Sequence, residues 1–180
     1  SSLFGTGITV VSNRREKLLK RYLTTPMKPY EYIFSHLIGR YLIFMVEMVS
    51  LLLASFLFFN FQIKGSFLSF FFIAFLSAAS FTALALVLSS RARNTSAYHG
   101  FMNLILLPLM LLGGVWFSKD YLPSFLSKFA EFLPVTACVD SLRAIALEGQ
   151  SLSQQSFQVS LLFLYLFLFS FLARKLFRWV

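Results

Sequence analysis

The chain has 180 residues, 58% of them hydrophobic and only 13% charged, with 24 Phe and a mean hydropathy of +0.75. That is more apolar surface than one water-soluble core of this size can hide, so a compact soluble domain is excluded. The net charge of +9 would suit a polynucleotide binder, but no basic stripe with interleaved exposed aromatics is present, and nucleic acid is excluded as a partner.

Residues 1–12 (SSLFGTGITVVS) are too short to cross a bilayer and read as the tail of a preceding span. With no initiator Met and no signal-peptide layout, the chain is expected to be a fragment of a longer protein. Asn13 to Thr24 is predicted to be a short helix at the membrane surface. Asn13 stands as its cap and Glu16, three residues on, as the capping-box partner. Leu18, Leu19, Tyr22 and Leu23 share one face, while Lys17, Lys20, Arg21 and Thr24 share the other. Pro26 ends the helix and Pro29 keeps the chain extended. Such a basic helix serves either as an anchor on anionic lipid or as a docking surface for a soluble partner.

A helical pattern begins near Tyr30, with a bend expected at Gly39, and runs into the first full span at 41–60. Glu47 is its one acid. It is a candidate for the translocation path, or else a residue near the interface hydrogen-bonded to a neighbouring helix. After a short loop at Gln62–Gly65 the second span, 66–90, has no charge. It repeats small residues at Ala74, Ala78 and Thr82, and at Ala79 and Ala83, a spacing that admits close helix packing. The turn RARNTSAY leads to a third span, 99–118, which contains Pro108 and ends at Gly113-Gly114, both of which loosen a helix. Residues 119–148 are predicted to be a pair of short helices that do not cross. In the first, Tyr121, Leu122, Phe125, Leu126, Phe129, Phe132 and Leu133 recur at helical period, with Pro123 in the first turn, so it is expected to lie in or dip into the interface. Pro134 breaks it, and a second helix is expected from about Ala137 to Glu148, stopped by Gly149. A fourth span, 156–173, ends on the basic, aromatic RKLFRWV. The fold expected is therefore all-α: a polytopic membrane helix bundle within a single transmembrane domain.

If the first basic block is cytoplasmic and the spans alternate, 12 of the 16 Lys and Arg fall inside. Only Lys64, Lys119, Lys128 and Arg143 fall outside. That asymmetry orients the chain by the positive-inside rule, with a cytoplasmic C-terminus. The acids Asp120, Glu131, Asp140 and Glu148 all lie in the last outer segment. Asp140 and Arg143, three apart on a helix, read as an ordinary surface pair.

Catalytic signatures are missing. His36 and His99 have no carboxylate or Cys at ligand spacing, and no HExxH, GxSxG or Walker loop occurs. Cys138 is the only cysteine, which rules out an intrachain disulfide or a thiolate metal cluster. The chain is expected to be no enzyme, with no metal and no cofactor of its own. An intramembrane enzyme would need catalytic groups from outside this sequence.

The order of elements resembles a known family. Thr25-Pro26-Met27 follows the basic helix, then come NLILLPLMLLGGVWF (Asn103 to Phe117), Leu122-Pro123, LPVTACVDSLRAIALEG (Leu133 to Gly149) and Phe177-Arg178-Trp179. Together these resemble the permease subunits of ATP-binding-cassette type-2 exporters, a group with drug-efflux and lipo-oligosaccharide export members. The resemblance implies a complete subunit of six spans, paired with a second permease half and driven by two ATPase subunits that hold the ATP. It maps the ATPase-coupling helix onto Glu16 to Pro26, and so onto Glu16, Lys17, Leu19, Arg21, Tyr22, Leu23, Thr25 and Pro26. It maps an outer re-entrant hairpin or gate onto Ser118 to Glu148 and its approach, with Gly113, Gly114, Phe117, Pro123, Pro134, Asp140 and Arg143. Ser118 stands where the family often has a proline. By that resemblance the protein is an outward-directed permease of the bacterial plasma (inner) membrane, in contact with membrane lipids. The alternative is a non-transporting membrane subunit that anchors a soluble partner.

Overall fold

The computed structural model describes residues 2–15, 29–92, 94–116 and 123–176, and within them every regular element is a helix. There are seven among the described residues: α1 (Ser2–Arg15), α2 (Pro29–Phe59), α3 (Phe67–Arg91), α4 (Thr95–Leu112), α5 (Ser124–Glu131), α6 (Pro134–Glu148) and α7 (Ser156–Leu176). Four are long and apolar enough to cross a bilayer: Tyr41–Phe59 within α2, and all of α3, α4 and α7. Helices satisfy this role because each backbone N–H and C=O finds its partner inside the segment, where lipid offers none.

Three boundaries differ from the sequence reading. Helix α1 runs without interruption through Asn13 to Arg15, so Asn13 does not cap a new helix. A cap needs extended backbone, and nothing between Val11 and Arg15 breaks the turn. The remainder of the expected coupling helix, Glu16 to Pro26, lies outside the described residues. Helix α4 starts four residues before the expected span, because Asn94 Oδ1 accepts the Ala97 N–H at 2.7 Å and supplies the cap. It stops at Leu112, ahead of the Gly113-Gly114 turn, where Gly114 takes φ 71°. Helix α6 begins at Pro134, not near Ala137.

The chain divides into two compact units: Ser1–Phe61, Phe81–Phe101 and Ser170–Val180 form one, and Gln62–Ser80 with Met102–Phe169 the other. In the first, α1 lies along α2. It buries Thr6, Gly7, Val10 and Val11, with the fully buried Tyr98 ring set directly against Gly7. Phe4 stacks on His99, their ring centroids 5.9 Å apart. Asn60, at φ 49°, ends α2 and donates its N–H to Phe56 O at 3.0 Å.

The second unit has the denser core. Ile73 and Leu76 of α3, Ala137 and Ile145 of α6, and Leu161 and Leu162 of α7 pack together, with Phe70, Leu142 and Leu166 against them. The buried Ser80 hydroxyl lies 2.9 Å from Leu76 O and 3.0 Å from Leu162 O, so its single proton can tie α3 to α7. In lipid the gain from such contacts is close packing and hydrogen bonding, since the surrounding tails are as apolar as Leu.

Candidate functional site

The most elaborate local structure is the helical pair α5–α6 between the third and fourth spans. Pro123, with φ −54° and ψ 144°, delivers extended backbone to the start of α5. Eight residues later the helix tightens: Phe132 N–H reaches Phe129 O at 3.2 Å and Leu133 N–H reaches Ala130 O at 3.0 Å. Leu133 then swings to an extended conformation and Pro134 opens α6. Proline suits a first helical position because its ring presets φ and the N–H it lacks would have had no intrahelical partner. The same residue that ends α5 therefore begins α6, and the junction is only two residues long.

Helix α6 buries Pro134, Val135, Thr136 and Ala137 in its first turn, then Ser141 and the run Ala144, Ile145 and Ala146. Ser141 Oγ donates to Ala137 O at 2.7 Å, which satisfies the hydroxyl within the helix. At the far end Gly149 adopts φ 72°, a left-handed cap that a side chain would oppose. The N–H groups of Gly149 and Gln150 both turn back to Ala144 O.

That leaves the Ile145 and Ala146 carbonyls to be satisfied from outside the helix. Lys64 N–H donates to Ala146 O at 3.0 Å and Gly65 N–H to Ile145 O at 3.1 Å. The loop between the first two spans is thus a strap across the end of α6. Glycine is required where it crosses, because a Cβ on Gly65 would sit 2.5 Å from Ile145 O.

The other end of α6 is held as closely. A Cβ on Gly113 would lie 2.7 Å from Val135 Cγ1, so the end of α4 abuts the first turn of α6. Arg143 Nη2 donates to Gly114 O over a long 3.4 Å. At the α5–α6 junction, Tyr165 OH donates to Phe132 O at 2.8 Å, linking the hairpin to α7. Beyond α6, Gln155 Nε2 donates to Gln150 Oε1, and Gln150 Nε2 to Glu148 Oε2 at 2.7 Å. This amide relay closes the turn into α7. Cys138 packs beside the core, and burial pushes its thiol above the ordinary value, against a smaller opposing effect of a hydrogen bond with Ser77.

Of the residues singled out from sequence, Gly113 packs against the first turn of α6, which Pro134 opens, and the Gly114 carbonyl meets Arg143 from the third turn of that helix. Pro123 starts α5, and Asp140 is half-buried on α6. Glu47 is half-buried in α2, and its backbone carbonyl accepts the Ser50 hydroxyl at 2.8 Å. Phe117 and all eight coupling residues lie outside the described residues. Among the described residues no three His, Cys, Asp or Glu side chains gather in a way that could hold a metal. The strap residues Lys64 and Gly65 were read only as loop. The one local signal was a glycine in a short connection, and its partner lies 80 residues away.

Four apolar spans, with a structured helical pair inserted before the last, define a polytopic helical membrane protein. The chain belongs to the ABC-2 type transporter family, whose model matches residues 1–147, from α1 almost to the end of α6. Among curated proteins it is similar to the "Probable multidrug ABC transporter permease YbhS" of Escherichia coli strain K12 and to the same-named protein of Escherichia coli O157:H7. Each is 26% identical over 145 residues, covering 80% of this chain and 38% of the relative. The chain therefore spans well under half the length of these curated relatives. No solved structure matches it.

Proposed function

We propose that the chain is the transmembrane permease part of an ATP-driven exporter. It moves a still unidentified substrate outward across a bacterial plasma (inner) membrane. It works beside a second permease half, while partner ATPase subunits bind and hydrolyse the ATP. The observation that carries this reading is the family match over residues 1–147 on a chain with four apolar spans. The similarity to a protein named as a multidrug permease points the same way.

In this reading residues 13–40, 91–98 and 174–180 are cytoplasmic, and 61–65 and 118–156 are outside. The 12-to-4 division of Lys and Arg supports that orientation. The segment Glu16 to Pro26 receives the ATPase motion. The α5–α6 pair forms the outer gate, with the Gly113-Gly114 turn as its flexible approach. Helix α6 is the fixed wall of that gate, because the strap holds its last turn and the packing of Gly113 against Val135 its first. Movement is then concentrated in α5 and in the turn that precedes it.

The test uses the full-length protein with its ATPase partner in inverted membrane vesicles. Exporter function requires ATP-dependent uptake of a transported dye, lost in the Leu19→Ala, Tyr22→Ala, Leu23→Ala triple variant while insertion stays normal. ATPase association without uptake in the wild type would instead establish a membrane anchor. Orientation is read separately from Thr95→Cys in a Cys138→Ser background. Modification of that cysteine by an impermeant thiol reagent from outside intact cells would reverse the topology.

A further inference from the structure

Helix α4 is held near its two ends and largely bare between them. Within it only Tyr98 and Met102 are buried, and Gly113 and Gly114 are buried just past its end. Phe101, Leu104, Leu107 and Leu111 are all exposed. The first hold is on α1. Phe4, Gly7 and Val11 are spaced three and four residues apart, so they share one face of that helix. Phe4 stacks on His99, and the end of the Tyr98 ring fills the place a Gly7 side chain would take. That ring is fully buried, so it moves only by displacing packed neighbours, and it acts as a fixed spacer between the helices. The second hold is Gly113, whose missing side chain lets the chain meet Val135 of α6.

The helices joined in this way lead to the two working parts of the protein. Helix α1 runs without a break to Arg15, the residue before the segment that receives the ATPase motion in the reading above. Helix α4 runs unbroken from Thr95 to Leu112 and ends at the Gly113-Gly114 turn, the approach to the outer gate. From Tyr98 to Gly113 the distance is roughly 22 Å at the rise of a helix. Pro108 lacks the N–H that would reach Leu104 O, which removes one bond from the ladder and fixes where the helix bends. The exposed middle has few packed neighbours to absorb a shift, so a displacement at Tyr98 reaches Leu112 as a change of tilt.

We propose that Tyr98 is the positioning residue that passes movement of α1 into α4. Helix α4 then pivots on α6 at Gly113 and carries the movement to the turn before α5. Glycine suits both contacts, since it lets a ring press on α1 and lets α4 turn closely against α6. What drives α1 and what the turn opens rest on the exporter reading above; the linkage rests on the contacts of Tyr98 and Gly113. A route of this kind is established by breaking the link and reading both ends.

The experiment uses the full-length protein with its ATPase partner in inverted membrane vesicles. A bimane fluorophore on Trp116→Cys, an exposed position, in a background otherwise free of cysteine, reports on the turn after α4. ATP with vanadate should change its emission in the parent. Tyr98→Leu keeps an apolar side chain without the reach of the ring, and should lose most of that change while hydrolysing ATP at the parent rate. It should also move about tenfold less dye per ATP, the size of an ordinary coupling free energy. Tyr98→Phe keeps the ring and should behave as the parent. Gly7→Ala displaces the ring from the α1 side and should reproduce the Tyr98→Leu loss, and it carries the test if that variant fails to fold. A bimane response that survives these changes would overturn the proposal, as would a parent that shows none. Hydrolysis and response falling in equal proportion would also overturn it, because that is what a purely structural role produces. Failure of the exporter reading looks different: the parent takes up no dye, while a response that depends on Tyr98 still stands.

Discussion

The first two spans have nearly the same hydropathy, 2.4 and 2.3, yet opposite surroundings. None of the α2 span is buried, whereas more than half of the α3 span is. Their compositions explain the difference. Helix α2 presents Leu42, Val46, Leu53 and Leu57 outward. Helix α3 packs Ala74, Ser77, Ala78 and Thr82 inward, small side chains that let neighbouring backbones approach. Hydropathy decides whether a helix crosses; side-chain size decides what it crosses beside.

The sharpest way to break this comparison is to exchange sizes between the two helices. Ala78→Leu should overpack the α3 face and cost about 1–3 kcal/mol. Leu57→Ala, at a position 72% exposed, should stay within about 0.5 kcal/mol of the parent. Thermal unfolding of the detergent-solubilised protein, followed by size-exclusion of the surviving fraction, measures both. Equal losses would show that α2 is covered in the purified assembly and that its exposure is not lipid contact.

Glycines give a second, somewhat smaller contrast. Gly39 in α2 has no atom within 4 Å of a built Cβ, whereas one on Gly65, in the strap before α3, would strike the Ile145 carbonyl. Gly39→Ala should be neutral or stabilising by up to about 1 kcal/mol through helix propensity. Gly65→Ala should cost roughly 1–3 kcal/mol by lifting the strap off α6. Amide hydrogen exchange would localise that loss, with the last turn of α6 exchanging faster only in the Gly65 variant. Unchanged protection there would remove the strap from the account of the gate.

The smallest effect concerns serine. Ser80→Ala removes a hydroxyl able to reach α7, and membrane hydrogen bonds of this kind average about 0.6 kcal/mol. Ser50→Ala removes only a bond to its own helix, at Glu47 O, and should change stability by less than that. Thermal unfolding of the two single variants side by side sharpens the point: equal losses would remove the Ser80 hydroxyl from the contact between α3 and α7.

The legible parts were those with a local physical cause. Runs of apolar residues marked the four spans, Gly113-Gly114 marked the end of the third, and Gly149 marked the end of α6. The misplaced boundaries came from residues whose effect depends on direction. Pro134 was read as a stop and is also a start. Asn13 has a capping side chain but sits in continuing helix, while Asn94 is the asparagine that caps.

The sequence by itself determined that the chain carries four helical runs long and apolar enough to cross a membrane, because burying the backbone in lipid demands such runs. Its motifs were sufficient to identify the family as well. Only the tertiary structure decided which span is enclosed, which face of α5 carries its aromatics outward, and that the loop after the first span caps a helix 80 residues later. Those features arise from contacts between residues distant in the chain. Helical period can show that a stripe exists, but not which side of the helix its neighbours will occupy. Backbone carbonyls carry no residue-specific signal that would reveal who satisfies them.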